Sequence, residues 1–286
     1  MTTLALTMVL LSAVFHATWN LFAKRAGGGV VFIWLADVVS VVAFAPLVVV
    51  LFFVDRPHIG FAEIGMMLGS ALLHLAYFIT LLRGYRAGDF SLVYPLARGT
   101  GPLLSTLGAI ALLGEQPTLP ALMGAVLIAG GAFFLTGGPN ALKGSSAGKA
   151  ALYGLLTGVI IGAYTLWDKL AVSGIMIAPL LQYYGSTVGR VALLAPVLAN
   201  RRAELRSDWR DHKPALFAVG LLSPISYILV LTALVVSPVS YVAPAREISI
   251  LLGALLGARL LAEGDAVRRL TASSAMLVGV IALALG

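Results

Sequence analysis

An all-α, polytopic membrane fold is what this sequence predicts, and three observations predict it. The first is composition: 60% of the 286 residues are hydrophobic and only 11% charged, and the mean hydropathy is +0.99, outside the range of water-soluble domains. The second is segmentation. Apolar stretches of crossing length, each near the 20 or so residues a bilayer core requires, fall at about residues 2–22, 30–54, 62–82, 90–114 and 119–136, then 150–167, 177–199, 214–234, 238–261 and 269–285. The third is duplication. Shifting the sequence by 148 positions lays Trp19 on Trp167, Arg98 on Arg246 and Glu115 on Glu263 without a gap.

These observations predict ten transmembrane helices in two five-helix repeats. The first repeat is residues 1–136 and the second 149–286, with a Gly-, Ser- and Lys-rich linker at 137–148. An odd number of crossings forces two fused copies to enter the membrane from opposite sides. The charges agree independently. Basic residues follow helices one and three in the first half (Lys24, Arg25, Arg83, Arg86) but helices seven and nine in the second (Arg201, Arg202, Arg206, Arg210, Lys213, Arg259, Arg268, Arg269). With Lys143 and Lys149, one face carries 14 Lys and Arg and the other only Arg56 and Lys169. The positive-inside rule makes the rich face cytoplasmic and both termini external, in a multi-pass protein of the cell (inner) membrane. The other three arginines lie within spans.

Composition also excludes classes of function. The absence of cysteine removes disulfides, iron–sulfur clusters and thiolate chemistry. The net charge of +7 is spread through loops between apolar runs, so it reads as topology rather than nucleic-acid binding. No zinc-protease, nucleophile-elbow or phosphate-loop motif is present. The expectation is a non-enzyme without cofactor or metal, a monomer or dimer whose partners are the lipid bilayer and a small-molecule substrate.

Polar residues within the spans are spaced by three and four, so they share helix faces. His16, Trp19 and Asn20 lie on helix one, His74 and Tyr77 on helix three, Tyr94 and Arg98 on helix four. Helix six adds Tyr164, Trp167 and Asp168; helix seven Gln182, Tyr183, Ser186 and Arg190; helix eight Tyr227. Interhelical hydrogen bonds and interfacial aromatic belts account for about half of such residues in any bundle. Their concentration predicts a common cavity lined by Trp19, His74, Tyr77, Tyr94, Tyr164, Trp167 and Tyr227. Helices five and ten lack such residues and are expected to face lipid, while Gly154, Gly158 and Gly162, and Gly253 and Gly257, form ridges for close helix contact.

Arg98 and Arg246 are the sharpest signals, because an arginine at the centre of a span costs about +2.5 to +3.5 kcal/mol on insertion scales. Each lies about eight residues, roughly 12 Å, into its helix, which in inverted copies predicts one near each mouth of the cavity. Pro95, Pro102 and Pro244 predict bends beside them. Glu247 points about 100° away from Arg246 around a helix, so it is the first candidate for proton coupling and Asp37 the second. Glu115 and Glu263, at helix ends, are expected to cap or to face the interface.

His-Ala-Thr-Trp-Asn followed by Lys24 and Arg25, the run Tyr94–Gly114 closing on Glu115, and Ala245-Arg246-Glu247 with Glu263 resemble the drug/metabolite transporter superfamily, in its ten-helix EamA-like branch. The resemblance covers the whole chain. It implies a secondary exporter of amino acids, other metabolites or drugs, with a cavity lined by helices one to four and six to nine. Alignment of Lys24 with the lysine of four-helix multidrug pumps puts their essential glutamate at His16, so their antiport chemistry is not implied. The leading expectation is export or exchange of amino acids with aromatic or apolar side chains by alternating access. The alternative is a proton-coupled multidrug exporter for cations.

Overall fold

The computed structural model describes residues 1–27, 29–87, 90–135, 147–252 and 266–286. Its helices are α1 (Thr3–Arg25), α2 (Val30–Val54), α3 (Phe61–Ala87), α4 (Phe90–Leu113), α5 (Leu119–Leu135), α6 (Ala147–Lys169), α7 (Pro179–Leu198), α8 (Arg202–Asp211), α9 (Lys213–Val236), α10 (Val239–Ala245) and α11 (Ala266–Leu285). A π-helical turn, Leu170–Gly174, extends α6. No strand occurs among the described residues. Among the described residues six helices are long and apolar enough to cross a bilayer, and Leu119–Phe134 and Thr271–Leu285 are shorter apolar helices. Gly253, Gly257, Glu263 and the linker at 137–146 lie outside the described residues.

One short helix has no counterpart among the expected spans. α8, RAELRSDWRD, is too polar to enter hydrocarbon and has no buried residue. Its Trp209 packs on Phe217 of α9 with ring centroids 6.0 Å apart, an amphipathic arrangement suited to a bilayer surface.

Close packing follows the glycines. On α6, a Cβ at Gly154 would lie 2.9 Å from Leu96 Cβ, one at Gly158 would strike Thr100, and one at Gly162 would lie 3.3 Å from Leu104 Cβ. In return Gly101 and Gly108 of α4 receive Ile161 and Leu166 of α6, at 2.7 and 2.5 Å. Small residues on both surfaces let the helix backbones approach, which is what drives association when lipid is as apolar as the side chains. α5 packs on α11 in the same way. A Cβ at Gly131 would meet the Ala272 carbonyl at 2.8 Å, and one at Gly279 the Gly124 carbonyl at 2.7 Å. The outer faces of this pair present Leu119, Met123, Val126, Leu277, Val278 and Ile281, all at least half exposed. Other neighbours include α1 with α9, α3 with α6 and α7, α4 with α5, α2 with α7 and α9, and α10 with α4 and α5.

Two ends are set by local chemistry. α4 stops where Gly114 turns left-handed (φ 67°), a conformation glycine adopts without Cβ strain. Glu115 N–H then reaches back to the Ala109 carbonyl at 3.1 Å. The turn aims the Glu115 carboxylate at the start of α10, where it accepts from the N–H groups of Val239 (2.7 Å) and Ser240 (2.9 Å). The expectation of a capping glutamate is met at Glu115. α10 in turn ends after seven residues at Ala245, one residue past Pro244. Glu247 N–H bonds the Pro244 carbonyl at 3.0 Å and Ile250 N–H the Glu247 carbonyl at 2.9 Å. These tighter, three-residue bonds carry Arg246 and Glu247 before helix resumes at Ile248. The helix is therefore interrupted at Arg246, whereas α4 runs through Pro95 and Pro102 without interruption.

Candidate functional site

The polar stripes converge on the middle of the bundle, where an aromatic cluster is assembled from four helices. His74 of α3 stacks on Tyr164 of α6, centroids 4.4 Å apart, and meets Tyr227 of α9 edge-on at 5.4 Å. Tyr77 meets Tyr164 at 6.0 Å, and Tyr183 of α7 meets Tyr227 at 6.2 Å. Edge-on and offset contacts of this kind satisfy the ring quadrupoles as well as burying area. His74 Nδ1 lies 2.8 Å from the Ser70 carbonyl. Since a carbonyl only accepts, Nδ1 carries the proton and Nε2 is left for another partner. His74, Tyr77 and Tyr227 are half-buried although they lie in mid-span, so the cluster borders accessible space inside the bundle.

The two arginines do not flank separate mouths. Arg98 Nε lies 3.0 Å from Glu247 Oε2, and Arg98 is 3.4 Å from the Ser249 hydroxyl. Glu247 adjoins Arg246 in sequence, so an Arg98 paired with Glu247 lies beside Arg246 rather than a helix length away. Glu247, the first candidate for proton coupling, is thus paired with Arg98. Arg246 takes a different course and stacks on the Tyr227 ring, its guanidinium carbon 5.6 Å from the centroid. Arg98 makes the similar contact with Tyr94 at 5.9 Å.

Asp37 is also paired. Arg190 of α7 donates from Nε and Nη2 to its two carboxylate oxygens, both at 3.0 Å, a bidentate fork that is the strongest geometry available to such groups. Both residues are buried, and Arg190 also donates to Thr187 at 3.1 Å.

Trp167 leaves the expected cavity lining. Its indole fills the surface opposite Gly69 of α3 and its N–H donates to the Met66 carbonyl at 2.9 Å. A cross-helix bond to a backbone carbonyl is a packing role, and helical spacing alone could not separate it from a lining role. Trp19 packs among Phe22, Ala215 and the Phe32 cluster and meets His16 edge-on at 5.0 Å. Its buried indole N–H has no acceptor, which leaves a donor available beside His16. Asn20 donates to the His16 carbonyl at 2.7 Å and is satisfied within its own helix.

The residue that spacing placed in a stripe but did not select is Asp168. It is fully buried. Tyr227 donates to one carboxylate oxygen at 2.5 Å and Gln182 Nε2 to the other at 2.9 Å. The adjoining Lys169 turns away and donates to the carbonyls of Leu234 and Ser237. Among the described residues no cluster of three or more metal-binding side chains occurs.

A solved crystal structure, 16% identical, shares the fold at a TM-score of 0.78 over 100% of this chain and 98% of its own. No curated protein matches the sequence. Residues 3–137, just under half of the chain, match the EamA-like transporter family.

Proposed function

We propose that the protein is a secondary transporter that exports or exchanges amino acids with aromatic or apolar side chains. The observation that carries this reading is the central cluster of His74, Tyr77, Tyr164, Tyr183 and Tyr227, with the Arg246 guanidinium lying on it. Ring walls hold an apolar side chain. Arg98 is occupied by Glu247 and Arg190 by Asp37, so of the three mid-span arginines Arg246 is the one open to a carboxylate.

Ten crossings in two inverted repeats, 1–136 and 149–286, support alternating access around such a site. Packing favours that arrangement. The contact of Gly131 with Ala272 becomes that of Gly279 with Gly124 under the same shift of 148. Along α5 and α11 the contacts run in opposite directions, as a two-fold axis in the membrane plane requires. Contacts of α1 with α9 and of α6 with α3 exchange likewise. The three-residue bonds at Arg246 and the π-turn after Lys169 are the irregular segments where halves could bend. Cytoplasmic placement of α8 and external termini follow the charge asymmetry. A single cysteine at Asp208 is expected to resist an impermeant thiol reagent in intact cells and to react after permeabilisation. Labelling from outside overturns this orientation.

The defining experiment is a counterflow screen over the amino acids with purified protein in liposomes. Exchange of L-phenylalanine or other apolar amino acids is expected above that of acidic and basic ones. A second reading, export of cationic compounds, is favoured by the buried carboxylate of Asp168, and exclusive exchange of carboxylate-free cations would replace the first reading with it.

A further inference from the structure

Two charged groups in the middle of the bundle lack an ion pair among the described residues. Arg98 is paired with Glu247 and Arg190 with Asp37. Lys169 is held by two backbone carbonyls, and Glu115 by two backbone N–H groups. Among the described residues in the middle of the bundle, the charges still without an ion pair are the carboxylate of Asp168 and the guanidinium of Arg246. Both touch the same side chain. Tyr227 donates its hydroxyl to Asp168 at 2.5 Å and offers its ring face to Arg246 at 5.6 Å.

A negative and a positive group set at the two ends of one tyrosine, beside a ring cluster, are complementary to a zwitterion carrying an apolar side chain. A buried carboxylate with only neutral donors is costly in low dielectric unless a cation joins it. A second observation points to the same ligand. Gln182 is almost wholly buried, its Nε2 bonds Asp168, and its Oε1 has no donor. An orphan acceptor beside a carboxylate fits a group with several N–H donors and no acceptor.

We infer that Asp168, with Gln182 Oε1, receives the α-ammonium of a zwitterionic substrate while Arg246 receives its α-carboxylate. The inference rests on the amino-acid reading above and adds the residue that reads the ammonium. Asp168 is buried, so the ammonium takes the place of the Tyr227 hydroxyl. That hydroxyl therefore serves as a stand-in donor that keeps the carboxylate satisfied between turnovers. Displacing the phenol also moves the ring on which Arg246 rests, so both ends of the substrate are engaged through one side chain.

The test is competition against counterflow of labelled L-phenylalanine in liposomes, using unlabelled L-phenylalanine, 3-phenylpropionate, which lacks the ammonium, and phenethylamine, which lacks the carboxylate. The parent is expected to prefer L-phenylalanine to either analogue by about tenfold or more, because a site built to pair a charge rejects the analogue without it. Asp168→Asn should lose most of the preference over 3-phenylpropionate and keep that over phenethylamine; Arg246→Gln should do the reverse. Retention of the parent's preference by Asp168→Asn overturns the inference. So does a parent that fails to distinguish L-phenylalanine from 3-phenylpropionate, a result that needs no variant to fold. A parent that takes phenethylamine as readily as L-phenylalanine, with that uptake lost in Asp168→Asn, overturns the amino-acid reading while upholding Asp168 as the ammonium site. Absence of exchange with all three compounds overturns both.

Discussion

Gly158→Leu is expected to abolish recovery of folded protein, and Gly158→Ala to destabilise it measurably. A Cβ at this position strikes Thr100, and the Gly101 backbone N lies 3.3 Å away, so α4 has to move outward to admit a larger side chain. Overpacking of a closed interface costs about 1–3 kcal/mol, occasionally more, and in a bundle without a hydrophobic drive between helices that packing is a large part of what holds them. Alanine leaves a way out. Thr100 can rotate and give up its 2.6 Å bond to the Leu96 carbonyl. The double variant Gly158→Ala with Thr100→Ala should therefore recover most of the stability lost by Gly158→Ala alone. Thermal unfolding in detergent, followed by size-exclusion chromatography, reads both results. Wild-type stability in Gly158→Leu would show that α4 and α6 do not meet on this ridge.

Arg98→Ala is expected to lower stability by about 3–5 kcal/mol, the usual consequence of leaving one member of a buried ion pair without its partner. Glu247 is 2% exposed, so water cannot replace the guanidinium. Glu247→Ala should cost a similar amount for the mirror reason. Replacing both residues together, Arg98→Met with Glu247→Leu, should cost much less than the sum, since matched apolar side chains avoid desolvating two charges. A double-mutant cycle on unfolding free energy measures the coupling. Additive losses would show that the two side chains do not act as a pair. Transport in the double variant tells more, because Arg98 and Glu247 join α4 to the irregular turn after α10. A stable but inactive double variant is expected if this junction carries the movement between states.

The helices themselves were legible because the bilayer is a strict solvent. Every crossing has to be a run of about 20 apolar residues with its backbone bonded internally, so α1 to α7 and α9 appear within a few residues of where hydropathy sets them. Hydropathy does not foresee α8, because its charged composition is that of a loop. The aromatic cluster was legible in part: periodicity gathered His74, Tyr77, Tyr164 and Tyr227 onto inward faces, and they do meet. Trp167 shows the limit, since a residue on an inward face can lie against a neighbouring helix instead of a cavity, and only the position of Gly69 and the Met66 carbonyl separates the two.

What this sequence determined by itself was therefore chemical and periodic: a membrane protein, the costly arginines, the capping glutamate, the glycine ridges and the residues that match under a shift of 148 positions. Tertiary structure alone decided the partnerships. Arg98 and Glu247 are separated by 149 positions, Arg190 and Asp37 by 153, and nothing local marks one carboxylate as paired and another as open. An intramembrane charge is stabilised by whichever opposite charge the packing of distant helices brings within a few ångströms. That choice, which left Asp168 and Arg246 to either side of Tyr227, follows from interhelical distances that spacing along a single helix does not contain.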